Sequence, residues 1–238
     1  MKVVITQSMF FPWVGLLEQI RLADIVVHYD DVQFSKGSFV NRVQIKSTKG
    51  TIWMTVPLKE LHLGQKIEDV QIDSGKEWKQ KHYELITDSF QSSPYKNETL
   101  NLVKSVYQRE FSNVGALARA SFRALIDYFE MDNSKTFIDV KDLGIDGKGS
   151  QRVLDIVKAV RGNTYITGHG ASKYLDHGTF EDAGITVEYM KYMLQPYSQL
   201  NGEFTPYTTG LDLVANCGKS GVKYVCSDTI NWRDYFAT

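Results

Sequence analysis

The sequence predicts an α/β fold with a mainly parallel sheet, an antiparallel hairpin after the second strand and a helical insertion. Two short apolar runs, Val3 to Thr6 and Ile25 to Tyr29, have the length and composition of buried strands. Between them Val14, Leu17, Ile20 and Leu22 recur at helical turn spacing, which makes a strand, helix, strand unit. The same rhythm returns from Thr136 to Met190, and strands alternating with helices argue for parallel pairing through crossover connections.

Taken in order, the first unit ends at Asp30. Arg42 to Lys46 and Thr51 to Val56 then alternate around Thr48-Lys49-Gly50, a hairpin closed by a glycine turn. Its alternation sets Arg42, Gln44 and Lys46 on one face and Val43 and Ile45 on the other; Lys46 and Lys49 are expected at the surface. A polar connection from Lys59 to Lys66 leads to a short strand, Ile67 to Ile72. Amphipathic runs from Trp78 to Phe90, Glu98 to Phe111 and Val114 to Phe129 form the insertion, at about residues 75–131 of a single 1–238 domain. Next come a strand at Thr136 to Val140, a helix at Gln151 to Val160, a strand at Thr164 to Thr167, a short helix ending near Asp176 and a strand at Thr186 to Met190. An irregular aromatic stretch leads to a helix at Gly210 to Ala215, and Val222 to Cys226 reads as an edge strand.

The chain carries 27 Lys and Arg against 28 Asp and Glu, a net charge of −1, so no general attraction to nucleic acid or anionic lipid is expected and any anion site must be local. The apolar start breaks at Gln7, which leaves neither a signal peptide nor a spanning helix and predicts cytoplasmic residence without membrane insertion. Cys217 and Cys226 lack metal-ligand spacing and are expected as reduced core thiols, with no metal site. The sequence names no cofactor and leaves a homo-oligomer open.

A parallel unit puts its strand exits at one carboxyl edge of the sheet, where open α/β sheets bind ligands. Three clusters fall there. Gln7 to Gly15, with Phe11, Pro12 and Trp13, joins a strand to a helix start suited to an anion, with Gly15 letting the helix approach; the competing reading of Phe10, Phe11 and Trp13 is a hydrophobic plug. The outline is similar to that of nucleotidyltransferase and pantoate ligase sites, but Trp13 and Val14 stand where their catalytic histidines would be. Asp30 and Asp31 end the second strand with side chains on opposite sides, so one is expected in the cleft, as a base for an amine or to bind a metal with substrate phosphates, or in a loop cap instead. In the stretch that follows, Lys36, Asn41, Arg42 and Lys46 form a local cationic set suited to a diphosphate, with Lys36 and Arg42 favoured by position, against a merely solvated hairpin face; Gln33 is a further candidate binding residue there. Gly168-His169-Gly170 follows a later strand; the glycines allow close backbone approach, and His169 is a candidate base for an amine or a backbone-bonded loop residue. His62 and His82 are expected at the surface. Tyr197, Gln199, Phe204, Tyr207 and Asp212, with Tyr174 nearby, offer the rings and polar groups of a sugar site or of a packed loop.

The stretches Ile5 to Leu58, Tyr165 to Asp176, Phe180 to Tyr189 and Gln195 to Gly218 resemble the WbqC-like family, whose members accompany bacterial O-antigen and other surface polysaccharide genes. The resemblance implies a role in making an amino-sugar-containing glycan, for which a glycine transferase has been proposed. The expected function is aminoacyl transfer to the amine of a nucleotide-linked or lipid-linked amino sugar. Its partners are that sugar and an activated acyl donor, with nucleic acid entering only if the donor is an aminoacyl-tRNA. Under it Lys36 and Arg42 hold phosphate, Asp30 or Asp31 and His169 handle the amine proton, and Trp13, Tyr197 and Gln199 hold the sugar. The alternatives are an ATP-using ligase or nucleotidyltransferase, and a non-catalytic subunit of a glycan assembly complex.

Overall fold

The computed structural model describes residues 1–237. Its elements are β1 (Lys2–Thr6), α1 (Val14–Leu22), β2 (Ile25–His28), β3 (Arg42–Ser47), β4 (Gly50–Thr55), α2 (Trp78–Ser89), α3 (Lys96–Tyr107), α4 (Val114–Tyr128), β5 (Thr136–Asp139), α5 (Gly149–Ala159), β6 (Thr164–Thr167), α6 (His177–Asp182), β7 (Thr186–Lys191), α7 (Gly210–Cys217), β8 (Asp228–Asn231) and α8 (Trp232–Ala237). The six-stranded sheet has the order β5-β2-β1-β6-β7-β8. Every pairing in it is parallel except β7 with β8, and β3 and β4 form a separate antiparallel hairpin. This is the α/β class that the sequence predicts.

Alternation along the central strands feeds a core on each side of the sheet. Val4, Val26 and Ile166 face α1, α4 and α7, with α2 and α3 outside them. Val3, Ile5, Ile25 and Val27 face α5 and α6. Order along the sheet decides where a ligand fits. From β1 the chain steps to β2 and then β5, returns past β1 to β6, and moves outward to β7 and β8. Adjacent β1 and β6 therefore send their exits to opposite sides, towards α1 on one face and α6 on the other. That is a topological switch point, and its carboxyl edge is an open crevice.

Several local expectations are corrected. Ile67 to Ile72 does not form a strand: Ile67–Asp69 is a 3-10 turn, because Ile67 and Val70, three apart, both bury against Val114 and Ala118. The edge strand lies at β8; Gly218–Tyr224 is a 3-10 turn in which Gly221 lies so close to Leu213 and Phe129 that a Cβ would stand 3.0 and 3.2 Å from them. Cys226 is exposed, not in the core. Lys46 is only 4% exposed, because the loop before α7 folds over the polar face of the hairpin; its Nζ donates to Gln199 Oε1 at 3.2 Å and to the carbonyls of Gly202 at 2.9 Å and Glu203 at 2.6 Å.

His82 is likewise buried, not at the surface. Its Nε2 lies 3.0 Å from the Thr55 carbonyl, an acceptor only, so that nitrogen carries the proton and Nδ1 accepts from Tyr107 Oη at 3.0 Å. Burial lowers its pKa to about 4. His28 is also lowered to about 4, by burial and then by Arg119. An unfolded histidine near 6.5 binds protons before the folded one does, so the stability these groups contribute is complete above pH 6.5 and falls as pH drops towards 4. Asp212, raised to about 6 by burial, works in the opposite sense and offsets part of the loss. Substitution isolates the His82 contribution: between pH 7 and pH 5 the H82Q variant should lose about 2 kcal/mol less than the unsubstituted chain in urea unfolding. Equal losses would show that His82 protonates as freely folded as unfolded.

Candidate functional site

At the switch point lies a cleft of about 1370 Å³. Its walls come from the exit of β1 (Gln7, Met9), the start of α1 (Trp13), the turn before α5 (Gly147 to Gly149), the exit of β6 (Gly168 to Gly170), the end of β7 (Lys191, Tyr192) and α8 (Tyr235). Tyr29, Tyr165, Tyr174 and Tyr207 add rings and hydroxyls, and Lys148, Arg152, Lys191 and His169 add nitrogen groups. Among the described residues no Asp or Glu lines it. A large crevice with many rings, several cations and no described Asp or Glu suits an anionic ligand with an aromatic or sugar face.

The Trp13 wall is held by strain and fit. Phe11 is wholly buried with a φ of 37°, a left-handed conformation costing about 1–3 kcal/mol outside glycine. Two clamps hold it there: the Phe11 N–H donates to Ser121 Oγ at 2.8 Å, and Thr209 Oγ1 donates to the Phe11 carbonyl at 2.8 Å. The Gly210 N–H donates to the Pro12 carbonyl at 2.7 Å, so the start of α7 is buttoned to the same turn. Trp13 then folds back over Gly15, where a Cβ would meet the indole at 2.2 Å, and its ring lies 5.2 Å from Tyr192 and 5.7 Å from Tyr207. Gly15 makes room for the indole as well as starting the helix.

The paired carboxylates are structural locks. Asp30 is 1% exposed; it accepts from Ser8 N–H at 2.8 Å, Ser8 Oγ at 2.7 Å and Arg119 Nη2 at 2.8 Å, while the other arm of Arg119 reaches Asp139 at 2.5 Å. Ser8 Oγ spends its one proton on Asp30, so His28 Nδ1, 3.1 Å away, donates to it; buried and in this direction, the three residues are no nucleophilic triad. Asp31 turns to the opposite face and takes the Arg152 fork at 3.1 and 2.5 Å, with the Arg152 guanidinium 5.0 Å over the Tyr29 ring. Neither carboxylate lines the cleft, and Asp31 acts there only through Arg152.

Of the other residues singled out by sequence, Gln7, Trp13, Gly168, His169, Gly170 and Tyr174 meet in the cleft. Phe11 lies in the core beneath it. Gln33 is exposed and bridges the Lys66 backbone, and Lys36 is exposed on the turn that follows. Buried Asn41 donates to the Val56 carbonyl at 3.0 Å. Arg42 donates to the Gly37 carbonyl from Nε at 3.0 Å and Nη2 at 2.6 Å and stacks 4.1 Å over Trp53, which shapes its loop and engages the Nε–Nη2 edge of its fork outside the cleft. Buried Tyr197 and Asp212 form a network with half-buried Gln199, Tyr197 Oη donating to Asp212 at 3.0 Å and Gln199 Nε2 to Tyr197 Oη at 3.0 Å, outside the cleft lining.

His169 has a defined tautomer. Its Nε2 lies 2.7 Å from the Met190 carbonyl and must donate, which leaves Nδ1 as a lone-pair acceptor; the ring sits 5.2 Å from both Tyr192 and Tyr235. Tyr192 is pushed up to about 12, by burial and then by the charge of Glu18, and so stays protonated as a donor. Sequence reasoning missed Tyr29, Lys148, Arg152, Lys191 and Tyr235; for Lys148 a signal existed, a lysine between two glycines just ahead of a helical run. Among the described residues, no group of three or more His, Cys, Asp or Glu is placed to hold a metal ion, and no helix is long and apolar enough to cross a membrane.

The model of the WbqC-like protein family matches residues 7–224, and the chain belongs to that family. It is also similar to the uncharacterized protein Rv1507c of Mycobacterium tuberculosis, with 29% identity over 227 residues that cover 94% of this chain and 97% of that protein. No solved structure matches it.

Two substitutions test this geometry. A methyl at Gly15 cannot coexist with the present Trp13 rotamer, so G15A should cost about 1–3 kcal/mol and shift tryptophan fluorescence as the indole leaves its seat; unchanged emission and stability would contradict the fit. D31N removes the charge facing a guanidinium whose side chain is 8% exposed and should destabilise by about 3 kcal/mol in urea unfolding. A change within ~0.5 kcal/mol would show the pair to be dispensable.

Proposed function

Taking membership of the WbqC-like protein family as premise, we propose that this chain is an aminoacyl transferase, glycyl in the family's proposal, acting on the amine of a nucleotide-linked or lipid-linked amino sugar in surface polysaccharide biosynthesis. The observation that carries the reading is His169, a base of fixed tautomer beside a large, ring-rich cleft at the switch point that no described Asp or Glu lines. In the reaction the sugar amine attacks the acyl carbonyl, a C–N bond forms, the bond to the donor's leaving group breaks, and the amine proton passes to His169 Nδ1. The Met190 carbonyl keeps Nε2 protonated, so Nδ1 alone is available to take that proton. Trp13, Tyr192 and Tyr207 supply faces for the sugar C–H groups, and the protonated Tyr192 hydroxyl and the Gln7 amide supply hydrogen bonds to its hydroxyls.

An ATP-using ligase ranks second. It calls for carboxylates that hold Mg²⁺ with the triphosphate, and Asp30 and Asp31 at the end of β2 are committed to Arg119 and Arg152.

Melting curves with UDP-, dTDP- and GDP-amino sugars, with and without ATP and magnesium, separate the two readings. A sugar nucleotide at about a hundredfold excess over its dissociation constant should stabilise the fold by about 2.7 kcal/mol, whereas ATP with magnesium should give no shift. H169Q should keep the sugar-nucleotide shift and lose acyl transfer by about 10²-fold or more. Transfer at the unsubstituted rate in H169Q would remove His169 from the chemistry.

A further inference from the structure

Two cations in the cleft stand apart from the rest. Arg152 is spent on Asp31, but Lys148 and Lys191 are exposed to the cleft and their ammonium groups form no hydrogen bond or ion pair among the described residues. They reach it from separate elements, Lys148 from the turn before α5 and Lys191 from the end of β7. The chain as a whole balances 27 basic against 28 acidic residues, yet among the described residues the cleft holds these lysines with no Asp or Glu in its lining. A crevice with low-dielectric walls and one sign of charge concentrates counter-ions of the other sign. The main chain around Lys148 is specified too: Gly147 and Gly149 have φ of 111° and 64°, and Gly149 has nothing within 4 Å of an added Cβ, so backbone conformation and not crowding accounts for glycine there.

We propose that Lys148 and Lys191 together bind the diphosphate of a diphosphate ester, with the esterified group lying towards Trp13 and His169. This rests on the transferase reading and deepens it, because nucleotide-linked and lipid-linked sugars share that diphosphate. Lysine contributes a mobile point charge to each phosphate, so neither contact needs the forked geometry that Arg152 has already given up. Asp31 is then a positioning residue: by holding Arg152 it fixes the first turn of α5 and, with it, Lys148.

Calorimetric titration of the full chain with UDP, inorganic diphosphate and farnesyl diphosphate tests the assignment, with melting curves confirming that each variant folds. K148M and K191M should each weaken diphosphate binding by about tenfold, and K158M, the same charge change at the far end of α5, should leave it unchanged. UDP binding tighter than farnesyl diphosphate identifies the nucleoside-linked source, and the reverse order identifies the lipid-linked one. Unaltered affinity in both K148M and K191M, an equal loss in K158M, or no diphosphate binding by the unsubstituted chain would overturn the proposal. If a sugar amine lacking diphosphate is still acylated in that last case, the transferase reading survives without it. If diphosphate binding depends on both lysines while H169Q transfers normally, the subsite stands and the role given to His169 falls.

Discussion

The reversal of strand order between β1 and β6 is the constraint on which the rest of this structure depends. Two hydrogen-bonded parallel neighbours carry connections that leave in opposite directions, so no single loop can close the carboxyl edge between them. The crevice is a consequence of topology. Its dimensions then follow from what holds its two sides: a strained, doubly clamped turn at Phe11 on the α1 side and, on the other face, the Asp31 to Arg152 fork that ties the exit of β2 to the first turn of α5.

Charge is sorted by the same elements. Asp30 and Asp31 leave β2 on opposite faces and meet Arg119 of α4 and Arg152 of α5, so each layer of helices is pinned to the strand end by an ion pair. Pairs of this kind contribute less by attraction than by the cost of separating them, since either partner left alone is a poorly solvated charge. With both carboxylates committed to arginines, the cleft keeps cations, hydroxyls and rings. That separation makes the site receptive to an anion although the chain is close to neutral.

The architecture was legible in the sequence wherever a periodicity was strong. β6 falls on Thr164–Thr167 as read, and β1, α1, β2, the hairpin and the three long helices lie within a few residues of their predicted bounds, because apolar runs and turn spacing report local structure directly. The Ile67 turn escaped because apolar residues three apart within a short run satisfy a strand and a 3-10 turn alike. Lys46 and His82 read as surface by pattern, and long-range cover buried them: the loop before α7 for one, Tyr107 and the end of β4 for the other.

Site residues divide in the same way. The exits of β1 and β6 could be found because a strand followed by glycine or proline marks a sheet edge, and both line the cleft. What Asp30 and Asp31 do there could not be found, since their partners stand 89 and 121 residues away and an adjacent pair of carboxylates looks identical whether free or bound. A crystal structure of the chain grown with a panel of nucleoside diphosphate amino sugars tests the central claim most directly. The account predicts ligand density between Gln7 and the Gly168 to Gly170 turn, with a sugar face on Trp13. Ligand bound on another face, such as beside Lys36 and Arg42 or at Tyr197, with the β1 to β6 crevice empty, would contradict it.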